Sequence, residues 1–256
     1  MTVATPAHNA GSIRFTPIVL VIYDLYVIRV SAPLIWRCSV QKHLRPLFSK
    51  NFSPRHVDIG VGNGYFPIRA LKDLGRKAKD QHLTLVDLSQ ASLSAAKQGI
   101  LSRHPDIDIR TVHADAGAPL PASLQNEKFG SASLSLIMHH MPGPTLSKSK
   151  AIRNAKSLLA DDGVLSGSTI LGKVWEKTEK GYQVKAEQKV GRVATFALGF
   201  YNKRGIFDNY EEDPRVFEQV LKEEFEEVET RIVDTTVRSD CWFPPCPLYL
   251  DSSCFE

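Results

Sequence analysis

The sequence predicts an α/β fold. The expected architecture is a doubly wound, mostly parallel sheet of seven strands, with an antiparallel last strand and an amino-terminal helical cover. Three observations carry this expectation. Short apolar runs alternate with stretches of helical periodicity from residue 54 to residue 171, the rhythm of βαβ units. A glycine-rich turn follows the first of those runs. Of 256 residues, 43% are hydrophobic and 23% charged, which excludes a disordered or coiled-coil chain and supplies a core for one domain.

Taken in order, residues 1–16 read as a flexible leader rich in Ala, Thr, Asn and Gly. Residues 17–53 read as the helical cover. Ile18 to Ile28 is IVLVIYDLYVI and stays apolar to Trp36, and Val30-Ser31-Ala32 would even suit signal cleavage. Asp24 and Arg29 interrupt that stretch, and Arg14 is its only preceding basic residue. A spanning helix needs about 20 apolar residues without such charges, so a buried amphipathic helix is the better reading. A cytoplasmic setting follows.

Residues 54–171 form the predicted core. Its strands are Arg55–Ile59, His82–Val86, Asp108–Val112, Ser131–Met138 and Val164–Leu171. Tyr65–Leu74, with Pro67 in its first turn, and Ser89–Leu101 are helices, as is Leu146–Leu159, which Gly163 should end as a C′ glycine. Residues 172–210 form an excursion over the sheet edge, with Lys173–Lys189 polar and solvated. Residues 211–256 hold a helix started by Asp213-Pro214, then two antiparallel strands, Phe225–Val233 and Thr235–Phe243.

Lys and Arg number 32 against 28 Asp and Glu, a net charge of +4. Nucleic-acid binders concentrate far more positive charge on one face, so neither a nucleic-acid nor a membrane partner is expected. Lys148, Lys150, Arg153 and Lys156 read as a solvated face. Cys38, Cys241, Cys246 and Cys254 contain no Cys-x-x-Cys, so no metal is expected and free thiols are favoured.

The most informative stretch is Val57-Asp58-Ile59-Gly60-Val61-Gly62-Asn63-Gly64, between a strand and a helix. Glycines there let a ligand lie against the backbone. A dinucleotide fingerprint would need glycine at position 65, which is Tyr65, and no Gly-Lys-Ser/Thr follows for a phosphate loop. Asp87 ends the second strand and Asp115 follows the third. Three acids at the carboxyl ends of successive strands lie where open α/β sheets bind ligands.

Acid-x-Gly-x-Gly-x-Gly resembles the first motif of class I S-adenosylmethionine-dependent methyltransferases. The resemblance implies S-adenosylmethionine as cofactor. Asp58 would serve its ammonium end, Gly60, Gly62, Asn63 and Gly64 would pass beneath its tail, and Asp87 with Leu88 would take the ribose. Asp115 with Ala116 would face the adenine, and Met138 would lie beside the reactive region. Tyr23-Asp24 with Trp36-Arg37-Cys38, His139-His140-Met141-Pro142-Gly143 and Leu198 to Asn209 resemble segments of small fungal and bacterial methyltransferases of secondary metabolism. Together they span most of residues 20–230. The sequence departs from that group at His140, where cysteine is usual, and in its tail after Cys241.

The resemblance implies methyl transfer to a small, largely apolar or aromatic acceptor, with a hydroxyl oxygen as the expected site. Two other readings stay open: a cyclisation or rearrangement in the same pocket, and a non-catalytic binding protein. His139 and His140 are candidates for a base that takes the hydroxyl proton. Trp36, Phe200, Tyr201 and Phe207 are candidates for the acceptor wall, and Tyr23 for a cofactor contact from the cover. Monomer and homodimer are equally compatible with the sequence.

Overall fold

Residues 38–179, 181–185, 191–233 and 236–242 are described by the computed structural model of the chain. The leader, most of the cover with Tyr23 and Trp36, and the tail with Cys246 and Cys254 lie outside the described residues. A five-residue π-turn, Val40–Leu44, runs into α1 (Arg45–Lys50), whose Leu47 and Phe48 are buried. β1 (Arg55–Ile59) is buried from His56 onward. α2 (Tyr65–Leu74) starts after Gly64 and stops at Gly75, both left-handed, the backbone that glycine adopts without strain. β2 (His82–Asp87) precedes α3 (Gln90–Leu101), where the Ser89 hydroxyl accepts the Ser92 N–H and caps the first turn.

β3 (Asp108–His113), β4 (Phe129–Ser135), α4 (Lys150–Ser157) and β5 (Leu159–Ile170) complete the parallel half. The hairpin β6 (Trp175–Thr178) and β7 (Gly181–Val184) stands apart from the main sheet. α5 (Arg192–Lys203), α6 (Pro214–Glu224), β8 (Glu227–Val233) and β9 (Thr236–Trp242) follow. The sheet order is β3-β2-β1-β4-β5-β9-β8, with β1 to β5 parallel and β9 antiparallel to both neighbours. The order reverses between β1 and β4, so a crevice opens there at the carboxyl edge. No helix among the described residues is long and apolar enough to cross a membrane.

Register decides what each face buries. Val57 and Ile59 join Ala132, Leu134, Ile152 and Phe217 in one core, on the side of α4 and α6. On the other face Leu83 and Leu85 pack with Phe48, Leu71, Leu93 and Ile100, from α1, α2 and α3. That second face also carries His56, Asp58, Ser131 and Ser133, all buried.

Four expectations need correction. Gly163 does not end a helix: α4 stops at Ser157 and Gly163 lies inside β5. There the register slips, from Phe129 opposite Leu159 to Ser131 opposite Val164, and a side chain at 163 would meet the Ala160 carbonyl at 2.9 Å. The glycine serves a bulge. β4 ends at Ser135 rather than Met138, because Leu136 turns to φ 57°, the one positive φ on a non-glycine among the described residues. The stretch read as a solvated excursion holds the β6–β7 hairpin, in which Trp175 and Tyr182 are buried and the Tyr182 hydroxyl donates to Thr230 at 2.7 Å. Lys148 is not on a solvated face but is fully buried against Glu212.

Candidate active site

The turns after β1, β2, β3 and β4 meet at the crevice. Gly60 (φ 79°), Gly62 (φ 55°) and Gly64 (φ 80°) all take left-handed backbone, so the first turn coils tightly. The Gly62 amide donates to Asp87 Oδ2 at 3.2 Å and the Ser89 amide to Asp87 Oδ1 at 2.8 Å, tying the first turn to the second. Asn63 Oδ1 accepts the Tyr65 N–H at 3.0 Å and shapes the entry to α2. The exposed Leu88 contributes its carbonyl, which accepts from His113 at 2.8 Å.

Asp115 is exposed and Ala116 buried; Asp115 Oδ1 accepts the Gly117 amide at 2.8 Å. A Cβ on Gly60 would sit 2.4 Å from Ile137 Cδ1, and one on Gly117 would sit 3.1 Å from Met141 Cε. Both glycines therefore admit the turn that follows β4. Sequence reasoning did not single out Ile137 or Met141, because nothing local marks them. Met138 is buried in the core with Leu134 and Ile152.

Burial sets the electrostatics. Asp58 is 2% exposed and accepts from the Ser133 hydroxyl at 2.6 Å. Its pKa is pushed up to about 7, by burial first and by the neighbouring Asp87 charge, against the Ser133 hydrogen bond. Asp87 is raised too, by burial, while the Ser89 and Gly62 amides and His113 act against the rise. Two desolvated carboxylates beside a glycine cradle, open above Gly62 where a Cβ would touch nothing, suit a ligand bringing a cation and hydroxyls. The amino-acid tail and ribose of S-adenosylmethionine have those groups.

The two histidines differ sharply. His139 is 2% exposed, and its Nδ1 faces the Ile170 N–H and the Thr169 hydroxyl, each at 3.4 Å. Burial, then His140 and Lys148, hold its pKa well below the ordinary histidine value. His140 is exposed, and its Nδ1 donates to the Ile206 carbonyl at 2.8 Å. The surrounding protein and Lys148 lower its pKa, against the Ile206 hydrogen bond. It is therefore neutral near pH 7 with its Nε2 lone pair free of that bond.

Phe207 holds both rings edge-on, at 4.5 Å from His139 and 5.0 Å from His140, and Tyr201 lies 4.8 Å from Phe207. Phe200 is exposed beside Tyr201 on α5, whereas Phe207 is buried. The segment carrying Phe207 is fastened from below. Asn209, fully buried, donates to the Ile170 carbonyl at 2.9 Å and accepts from Asn202 at 2.9 Å. Lys148 donates to the Asp208 carbonyl and to Glu212 Oε1, and Glu212 Oε2 accepts from Thr169 at 3.3 Å. Burial pushes the Glu212 pKa up to about 7, Lys148 acting the other way.

A family profile described as a methyltransferase domain matches residues 57–163. The O-methyltransferase NEC2 of Pyricularia oryzae is 36% identical over 233 residues, covering 82% of this chain and 83% of that protein. The physcion biosynthesis cluster O-methyltransferase of Aspergillus chevalieri is 34% identical, over 90% of this chain and 92% of its own. Among solved structures, the O-methyltransferase NcsB1 from neocarzinostatin biosynthesis superposes with a TM-score of 0.55 at 15% identity. That match covers 89% of this chain and 59% of the other, so the chain spans about three-fifths of that protein's length. NcsB1 was solved with S-adenosyl-L-homocysteine and 1,4-dihydroxy-2-naphthoic acid. With the fold, the glycine turn and the three strand-end acids in the matched region, the chain belongs to the S-adenosylmethionine-dependent methyltransferases.

Proposed function

We propose that this enzyme methylates a hydroxyl oxygen of a small aromatic or largely apolar metabolite of secondary metabolism, with His140 as the base. The observation that carries the reading is the orientation of His140. Its Nδ1–H is committed to Ile206, which leaves the Nε2 lone pair of a neutral imidazole, on an exposed residue, to accept a proton. The names of two fungal relatives, both O-methyltransferases and one of a biosynthesis cluster, support the oxygen acceptor.

S-adenosylmethionine supplies a methyl carbon already activated by its sulfonium. The protein's task is to hold the acceptor oxygen in line and to relieve it of its proton. In this reading Asp58 holds the ammonium end, Asp87 the ribose hydroxyls and Asp115 the adenine amino group. Gly60, Gly62, Asn63 and Gly64 line the tail, while Leu88, Ala116 and the Met138 backbone border the remainder. Phe200 and Tyr201 form the acceptor wall, joined by Trp36 and with Tyr23 on the cofactor side if the cover closes over them. His139, enclosed and already engaged through Nδ1, supports His140 rather than touching the acceptor. The setting proposed is cytoplasmic, without a nucleic-acid or membrane partner.

The test is turnover of S-adenosylmethionine with a panel of phenolic acceptors, following S-adenosylhomocysteine and the methylated product by mass spectrometry. His140→Ala should lower kcat by about 10²–10⁴-fold with cofactor affinity unchanged. The loss should shrink as pH rises toward the acceptor's own pKa, where the oxygen ionises unaided. Full activity in His140→Ala at neutral pH would reject the base. Conversion of acceptor without S-adenosylhomocysteine would point to the rearrangement.

A further inference from the structure

Asp58 does not stand alone in the interior. Because β1 and β4 pair with His56 opposite Ser131 and Asp58 opposite Ser133, four polar side chains share one face of the sheet. They form a continuous chain. Ser133 Oγ lies 2.6 Å from Asp58 Oδ1 and 3.0 Å from His56 Nε2. His56 Nδ1 lies 2.7 Å from Ser131 Oγ, which lies 2.8 Å from Ser53 Oγ and accepts the Ser53 N–H at 2.9 Å. Ser53 Oγ in turn donates to the Arg55 carbonyl at 2.7 Å. His56 is 1% exposed and closed in by Phe48 and Phe52, with ring centroids at 5.2 and 4.7 Å. The methyl-transfer chemistry does not use this chain directly.

Counting protons along the chain shows what an ionised Asp58 requires of its neighbours. Each hydroxyl has one proton to donate, and a neutral imidazole donates from one nitrogen only. If Asp58 is a carboxylate, Ser133 must donate to it. Ser133 then accepts from His56 Nε2–H, and Ser131 donates to His56 Nδ1 while accepting from Ser53, whose hydroxyl turns away from the Arg55 carbonyl. If Asp58 carries its proton on Oδ1, every donor reverses. Asp58 donates to Ser133, Ser133 to His56 Nε2, His56 Nδ1–H to Ser131, and Ser131 to Ser53. An ionised Asp58 therefore fixes the Nε2–H tautomer of His56, and the opposite tautomer requires a protonated Asp58. His56 itself stays neutral in both states, since burial and the charge of Arg76 push its pKa down to about 3. The charged groups facing the chain are Asp87 on β2, which opposes the Asp58 charge, and Arg76 beyond α2, which opposes a charged His56. The aromatic rings of α1 and Phe52 bring none.

We propose that His56, acting through Ser133, is a positioning residue for the cofactor: its Nε2–H tautomer holds Asp58 ionised and oriented for the cofactor's ammonium group. The inference rests on the assignment of Asp58 to that group. It predicts that binding is coupled to proton release from this buried chain, so affinity falls as pH drops through the Asp58 pKa.

The experiment is calorimetric titration of the full chain with S-adenosylhomocysteine between about pH 5.5 and 8.5. Ser133→Ala removes the donor to the carboxylate. It should weaken binding about ten- to a hundredfold at neutral pH and move the midpoint of the pH dependence up by about one to two units. Affinity should recover toward wild type above that midpoint. His56→Leu should shift it the same way with about a two- to tenfold loss, and His56→Gln, whose amide nitrogen can replace Nε2–H, should restore it. Asp58→Asn should weaken binding and abolish the pH dependence. If it does while Ser133→Ala and His56→Leu keep the wild-type midpoint, the coupling is refuted and the Asp58 assignment stands. A loss equal at every pH, not rescued by His56→Gln, also refutes it, because a packing defect has no reason to follow one titration. If Asp58→Asn binds as tightly as wild type, both the assignment and the coupling fall.

Discussion

Asp58→Asn should stabilise the unliganded enzyme while disabling it. Folding takes Asp58 from an ordinary carboxyl pKa of 3.8 to about 7. Between those values the folded protein keeps a proton that the unfolded chain releases, so folding loses free energy as pH rises and the penalty is complete above about pH 7. At about 1.36 kcal/mol per unit the penalty is near 1–2 kcal/mol around pH 5 and about 4 kcal/mol around pH 8. Asparagine is uncharged throughout and keeps an oxygen for the Ser133 hydroxyl. Allowing for the new amide's own burial, a gain of about 2–4 kcal/mol is expected near pH 8, a rise of roughly 4–16 °C in Tm for a chain of this size.

The lowered histidines have the opposite sign. His56, His139 and His140 withhold protons that the unfolded chain takes up below about pH 6.5, so their contribution is lost toward acid pH. They are present in both proteins and largely cancel in the difference. Thermal unfolding of the two unliganded proteins near pH 5 and pH 8 is the assay, repeated with saturating S-adenosylhomocysteine. Ligand should stabilise wild type more and narrow or invert the gap. An Asp58→Asn protein no more stable than wild type at pH 8, or a difference that ignores pH, would refute a destabilising buried carboxylate.

Lys148→Met should lower stability by about 3–5 kcal/mol, because it strands the Glu212 carboxylate with 1% of its surface exposed; Lys148→Met with Glu212→Leu should recover most of that loss in the same melts. Gly60→Ala should cost about 2–5 kcal/mol, since it needs an L-residue at φ 79° and drives a methyl to 2.9 Å from Ile137 Cβ, which no rotation of the Ile137 side chain can clear. Displacing Ile137 also moves the His140 turn, so turnover per folded molecule should fall as well. Asp87→Ala should weaken S-adenosylhomocysteine about ten- to a hundredfold by calorimetry without unfolding the domain; unchanged affinity would remove Asp87 from the site.

The sequence by itself determined the order of strands and helices from residue 54 to residue 171 and the edge at which chemistry sits. Apolar runs of five to eight residues, too short for helices and alternating with helical periodicity, read as buried strands, and α2 spans the predicted Tyr65–Leu74. Asp58, Asp87 and Asp115 were legible because strand direction in a parallel sheet brings successive strand ends to one side, whatever the order of the strands. Tertiary structure decided which groups surround them. Asp58 finds Ser133 75 residues away and Lys148 finds Glu212 64 residues away, pairings that follow from strand order and helix docking rather than from local pattern. Lys148 looked like one member of a basic surface, and only its burial reveals otherwise. His139 and His140 are adjacent and chemically identical, so spacing cannot rank them. The left-handed backbone of Leu136 ends β4 early, and the tight turn beyond it encloses one imidazole and leaves the other facing solvent. A side chain's direction at a strand end depends on that backbone and on what packs against it, and both are set only when the chain has folded.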